Sequence, residues 1–268
     1  MTSPAASVVT APVPTAPIEE PNAGSTAITI NGLGKRYGTG PLVLDDINLS
    51  IEAGQFVCLL GASGCGKSTL LNIIAGLEKP TEGAVTVASG KAAVMFQDAA
   101  LFPWLTASRN VELALKLRGV PRKDRRAEAL ELLNLVNLAD AVDKRPHELS
   151  GGMRQRVALA RSLAQDRKVL LMDEPFAALD AITRDLLHEE LERVWRQTGR
   201  TIVFVTHNVR EAARLGQRIL LMSSRPGRIA NEWTITDTGS RRIESPEVAR
   251  LGDEITDQLR EEIRRNAA

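Results

Sequence analysis

The order of apolar and polar positions divides the chain into an unpatterned beginning and a patterned body. The first 25 residues are Ala, Pro, Thr, Ser and Val with almost no large side chains. Such a segment cannot bury enough apolar surface to offset its ordering entropy, which predicts a disordered tail over residues 1–25. Alternation starts at Thr26-Ala27-Ile28-Thr29-Ile30, the period of a half-buried strand. Three later runs are continuously apolar: Gln55-Phe56-Val57-Cys58-Leu59-Leu60, Val169-Leu170-Leu171-Met172 and Thr201-Ile202-Val203-Phe204-Val205. Each ends in a glycine loop or at polar residues. Strands buried on both faces have this pattern, so it predicts an α/β fold with a parallel sheet covered by helices.

Helical spacing fills the gaps. Residues 67–75 read as a helix directly after the glycine loop. Residues 106–163 read as mostly helical, with Leu130, Leu133, Val136 and Asn137 on one face of one helix. Residues 181–197 form an amphipathic helix through Leu186, Leu187, Leu191 and Val194. A last amphipathic stretch runs through Val248, Leu251, Ile255, Leu259 and Ile263. No internal repeat is visible.

Composition narrows the class. The 268 residues are 43% hydrophobic and 25% charged with a net charge of +1, the balance of a globular protein. Nothing here resembles a nucleic-acid binder, and the cluster at Arg122, Lys123, Arg125 and Arg126 reads as a solvated helix start. Cys58 and Cys65 fit a reducing cytosol better than a disulfide. No apolar run approaches the roughly 20 residues of a membrane span, and no signal peptide is evident. Work at a membrane would therefore require docking onto another protein.

Two motifs carry chemistry. Gly61-Ala62-Ser63-Gly64-Cys65-Gly66-Lys67-Ser68-Thr69 fits the phosphate-loop pattern between a buried strand and a helix. Its glycines turn backbone N–H groups inward as an anion nest, and the helix dipole points at the same place. Lys67 adds charge for the β- and γ-phosphates of ATP, and the Ser68 hydroxyl suits Mg²⁺. Cys65 has two readings: a thiol activated by the helix N-terminus, or a small neutral filler. The run Val169-Leu170-Leu171-Met172-Asp173-Glu174-Pro175 ends a strand in two acids, where open α/β sheets collect ligands. Asp173 is placed to hold Mg²⁺ directly or through water, and Glu174 to orient and deprotonate an attacking water.

A third motif, Leu149-Ser150-Gly151-Gly152-Met153-Arg154-Gln155-Arg156, makes a second anion site: an N-cap hydroxyl followed by free helix N–H groups. One ATP does not require both sites. A head-to-tail pair of chains does, with each ATP between the phosphate loop of one copy and Ser150, Gly151 and Gly152 of the other.

Together these motifs resemble the ABC ATPase family from about Ile28 to Ile229. The resemblance implies a mainly parallel sheet, a small antiparallel β-region and a helical subdomain at about 100–163, within an ATPase domain spanning 26–240. The remainder, 241–268, is then a C-terminal amphipathic helix. Tyr37 resembles the aromatic that stacks on adenine. Gln97 resembles the Q-loop glutamine, which touches Mg²⁺ and the attacking water and reports to a transmembrane partner. Ala178-Leu179-Asp180 resembles the D-loop that crosses the dimer interface, and His207 the switch histidine at the γ-phosphate. The competing readings are a surface aromatic for Tyr37 and a helix-cap neighbour without a role for His207. His147 and His188 are read as structural or surface residues, His188 on an exposed helix.

The stretch Phe96-Gln97-Asp98-Ala99-Ala100-Leu101-Phe102-Pro103-Trp104-Leu105-Thr106 resembles bacterial importers of nitrate, taurine and aliphatic sulfonates. So do Asp180-Ala181-Ile182-Thr183-Arg184 and Ser223-Ser224-Arg225-Pro226-Gly227-Arg228-Ile229. The alternative is that Phe102 and Trp104 only pack under their loop. Two features depart from the family: residues 83–97 are short, which predicts a trimmed antiparallel region, and Asn208 stands where an acid is common. The resemblance implies a peripheral ATPase on the cytoplasmic face of a bacterial membrane. It would dock on a permease through the groove near Gln97 and serve a substrate-binding protein indirectly. A soluble ABC ATPase acting on DNA or ribosomes, or a simple kinase, competes with this reading.

Overall fold

The computed structural model describes residues 25–235, 241 and 245–267, and the expected tail at 1–25 lies almost entirely outside them. Two sheets form the body. The larger has the order β5 (Ala93–Met95), β6 (Val169–Asp173), β7 (Thr201–Val205), β3 (Phe56–Gly61), β8 (Arg218–Met222) and β9 (Ile229–Thr234). All neighbours are parallel except β8 and β9. The smaller sheet is antiparallel, β2 (Leu42–Glu52), β1 (Thr26–Arg36) and β4 (Glu82–Val87). This sheet has three strands, and residues 88–92 link β4 to β5.

The continuously apolar runs behave as a doubly covered sheet demands. Phe56, Cys58 and Leu60 of β3 point into one core with Leu170, Met172, Ile202 and Phe204. Val57 and Leu59 point into the other with Val169, Leu171, Val203 and Val205. The period of two sends alternate side chains to opposite faces. Helix α1 (Lys67–Ile74) and the small sheet cover one face. Helices α2 (Ala107–Arg118), α3 (Arg122–Leu135), α4 (Gly151–Leu163), α5 (Ala181–Thr198) and α6 (Val209–Leu215) supply the other core. Helix α7 (Pro246–Ala267) packs on its own domain, with Val248 and Ile255 buried. It is also tied there by hydrogen bonds from Trp233 to Glu254 and from Asn231 to Gln258, both 2.8 Å.

Two expectations need correction. Helix α3 stops at Leu135, so Val136 and Asn137 lie beyond it, although Val136 is still buried. Asn137 takes a left-handed φ of 51°, which ends a helix, and the Leu138 amide closes back on Leu133 O at 2.8 Å. His188 is not on an exposed surface: its exposure is 0%. The ring stands 5.6 Å from Phe176, centroid to centroid. Asp185 and Glu211 carboxylate oxygens lie at 3.8 and 3.6 Å, and neither ring nitrogen makes a hydrogen bond.

Burial, reinforced by the charges of Arg214 and Arg184, pushes the His188 imidazole down to about 3 from an ordinary 6.5. Between those values the unfolded chain binds a proton that the folded one refuses. Stability is therefore intact above about pH 6.5 and falls as pH drops toward 3. His188→Leu removes this proton while leaving Glu211, Asp185 and both arginines. Urea unfolding at pH 7 and pH 5 should show the parent losing roughly 1–2 kcal/mol more than the variant. Equal losses would show that His188 does not take up that proton.

Candidate functional site

Four strands deliver the predicted residues to one edge of the large sheet. Strands β5, β6, β7 and β3 are consecutive neighbours and parallel. Gln97 therefore follows the end of β5, Asp173 and Glu174 the end of β6, and His207 the end of β7. The phosphate loop follows β3. This is the carboxyl edge, where parallel sheets place their ligands.

The loop itself is held by close backbone approaches. Gly66 has φ 99°, and a Cβ there would meet Leu44 Cδ2 at 2.6 Å, so conformation and space both require glycine. Lys67 is buried, and its Nζ donates to the carbonyls of Gly61 (2.8 Å) and Ala62 (3.1 Å). Ser63, Gly64 and Ser68 face solvent, and Ala62 and Thr69 are half-buried. Cys65 resolves to the filler: it is buried, and burial pushes its thiol up despite the Lys67 charge. Both cysteines are free thiols.

Burial pushes the Asp173 carboxyl up, aided by the Glu174 charge; the Ser68 hydroxyl and Lys67 hold it down. Ser68 and Asp173 thus share one spot, a hydroxyl and a half-buried carboxylate. That donor set of hard oxygens fits a magnesium ion, which takes few protein ligands and completes its shell with phosphate and water. Glu174 sits at φ 45°, a conformation non-glycine residues adopt rarely and often at functional sites. Its amide donates to Val205 O at 3.0 Å, and its Oε2 meets His207 Nδ1 at 2.9 Å. His207 is 62% exposed in its side chain. Tyr37 is half exposed, donates its hydroxyl to Glu78 and lies beside the Thr69 hydroxyl, which places it at the start of α1.

Ser150, Gly151, Gly152 and Asp180 form a separate cluster. Ser150 caps α4, accepting from the Met153 amide at 3.2 Å, and Asp180 caps α5, accepting from Thr183 at 2.9 Å. The two helix starts touch: a Cβ on Gly152 would lie 2.5 Å from Thr183 Cγ2, and one on Gly151 3.0 Å from Leu179 Cδ2. These glycines therefore have a packing role within one chain, beyond any phosphate they meet. Among the described residues no hydrogen bond or ion pair joins this cluster to the phosphate loop.

Sequence reading missed several supports. Gln155 Nε2 donates to Gln97 O at 2.8 Å, and Arg161 donates to the carbonyls of Ala99 (2.6 Å) and Ala100 (2.7 Å). Helix α4 thereby holds the Gln97 segment. Gly227 lies against the phosphate loop so closely that a Cβ would stand 2.2 Å from Cys65 O. Its amide and carbonyl bond Val43 and Asp45. Its place in the Ser-Arg-Pro-Gly-Arg run was the one available signal. Trp104 does not pack under its loop, being 68% exposed, and Phe102 rests against it with ring centroids 5.5 Å apart and 38% exposure. Beside them is a cavity of about 370 Å³ lined by Phe102, Leu113, Leu117, Arg118, Arg161 and Arg167 among others.

Comparison with known proteins shows the family. Residues 44–177 match the family model described as ABC transporter. The nitrate import ATP-binding protein NrtD of Synechocystis is 46% identical over 85% of this chain and 91% of its own. The aliphatic sulfonates import ATP-binding protein SsuB 1 of Mesorhizobium japonicum is 44% identical over 94% and 96%. Among solved structures, the dimeric ATP-binding cassette MJ0796 in a post-hydrolysis state bound to ADP and Pi superposes with a TM-score of 0.67 at 35% identity. That match covers 78% of this chain and 99% of the other. With its phosphate loop, acidic strand end and histidine on one sheet edge, this chain belongs to the ABC transporter family as one of its ATP-binding, ATP-hydrolysing subunits.

Proposed function

We propose that the chain drives a bacterial importer of a small oxyanion, such as nitrate, taurine or an aliphatic sulfonate. Two copies pair head to tail around two ATP molecules. The observation that supports this most is the single edge shared by Lys67, Ser68, Asp173, Glu174 and His207, with Glu174 and His207 2.9 Å apart. Tyr37 stacks on adenine. Backbone amides of residues 61–69 and the Lys67 ammonium hold the phosphates. Ser68 and Asp173, with Gln97 closing over them, would hold magnesium, which neutralises phosphate charge when bound. Ser150, Gly151 and Gly152 of the second copy complete the phosphate shell, and Asp180 lies at the seam between the copies.

Glu174 takes a proton from water as the water oxygen bonds to the γ-phosphorus. The bond from that phosphorus to the β–γ bridging oxygen breaks, leaving ADP and phosphate. His207 stabilises the charge on the γ-phosphate oxygens. Phe102, Trp104 and the cavity beside the Gln97 segment receive the permease, which places the pair at the cytoplasmic face of the membrane. Affinity purification from detergent-solubilised cells tests this reading. A tagged chain should bring down an integral membrane protein, whereas recovery of ribosomes or DNA instead would sink it.

A further inference from the structure

One buried carboxylate has no part in that chemistry, yet it joins two of its loops. Glu211 lies on α6 at 5% exposure. Its Oε2 accepts from the Thr206 hydroxyl at 2.6 Å, and its Oε1 accepts from Asn208 Nδ2 at 3.4 Å. Thr206 and Asn208 flank His207, and the Asn208 amide closes onto Thr206 Oγ1 at 3.0 Å. The loop carrying His207 is therefore held on both sides by one side chain.

The same carboxylate reaches α5. Arg184 Nε stands 3.6 Å from Glu211 Oε1, and Arg184 Nη2 donates to Leu179 O at 2.7 Å. Leu179 precedes Asp180 and touches the α4 start at Gly151. His188 Nε2 lies 3.6 Å from Glu211 Oε1 and fills the remaining side without donating a hydrogen bond. A continuous set of contacts thus runs from Leu179 through Arg184 and Glu211 to Thr206 and Asn208, with His207 between them.

We infer that Glu211 is a positioning residue for ATP hydrolysis: with Arg184 it locks the His207 loop to the 178–180 segment of the same chain. The inference rests on His207 acting at the γ-phosphate. A carboxylate is required because it must accept from Thr206 and Asn208 and also face a guanidinium. An amide could serve Thr206 but would turn its N–H₂ toward two other donors, which leaves a buried clash of donors. A misplaced His207 weakens a contact made in the transition state more than ATP binding itself, so kcat falls and KM does not.

The test is a cycle of variants assayed for phosphate release with radiolabelled ATP, with nucleotide affinity and melting temperature measured alongside. Glu211→Gln is expected to lower kcat by roughly 10- to 100-fold with KM for ATP within about twofold. In a His207→Ala background the same change should cost less than about twofold, because the group it positions is gone. Equal losses in both backgrounds, or a parent-like kcat in Glu211→Gln, would overturn the inference. If Glu211→Gln does not fold, Thr206→Val enters the same cycle with the same expectations, and Thr206→Ser, which keeps the hydroxyl, should restore turnover. A normal rate in His207→Ala alone would instead refute the role given to His207, an outcome distinct from failure of the cycle.

Discussion

Glu174→Gln is expected to lower ATP turnover by about 10²- to 10⁴-fold, the range carried by a positioned general base, while ATP binds almost unchanged. Glutamine matches glutamate in size, so the backbone at φ 45° and the packing at the end of β6 are preserved. What is lost is the ability to accept a proton, together with the charge facing His207 Nδ1. With hydrolysis blocked and binding intact, ATP-bound pairs should accumulate. Phosphate release measures the first effect and gel filtration with ATP the second. Near-normal turnover would show that another group is the base.

Lys67→Ala is expected to act on binding. The Nζ is held by the Gly61 and Ala62 carbonyls within the loop, so it is pre-placed where the phosphates lie. A hydrogen bond to a charged group contributes about 1.5–3 kcal/mol, so ATP affinity should drop by roughly 10- to 150-fold. Lys67 makes no ion pair among the described residues, and the variant should still melt cooperatively. A fluorescent nucleotide titration reads the loss. Unchanged affinity would mean that the loop amides alone hold the phosphates.

Much of the site was legible because its chemistry is local in sequence. The phosphate loop, the acids after Met172 and the histidine after Val205 each sit at the end of an apolar run. The runs announce a parallel sheet, and a parallel sheet has one carboxyl edge. What was not legible depends on pairs distant in the chain. Gly227 meets Cys65 only because β8 pairs with β3. Gln155 reaches Gln97 across 58 residues. His188 looked like the polar side of an amphipathic helix, but α6 and Phe176 cover that side, so periodicity alone misplaced it. Asn208 caps α6, its Oδ1 accepting from the Arg210 and Glu211 amides, and its Nδ2 also donates to Glu211 Oε1, which an acid at this position could not do.

The Ser150-Gly151-Gly152 start remains the feature that implies pairing, although the packing of Gly152 on Thr183 shows that its glycines also serve one chain. The head-to-tail arrangement is tested most directly by mixing two defective chains, both carrying Glu174→Gln to trap ATP. One also carries Lys67→Ala and the other Ser150→Arg. In a head-to-tail pair of unlike chains, one site combines both defects and the other is intact. Neither chain alone should retain ATP through gel filtration, and the mixture should retain about one ATP per mixed pair. If the mixture retains no more ATP than its components, each site lies within a single chain and the paired account is wrong.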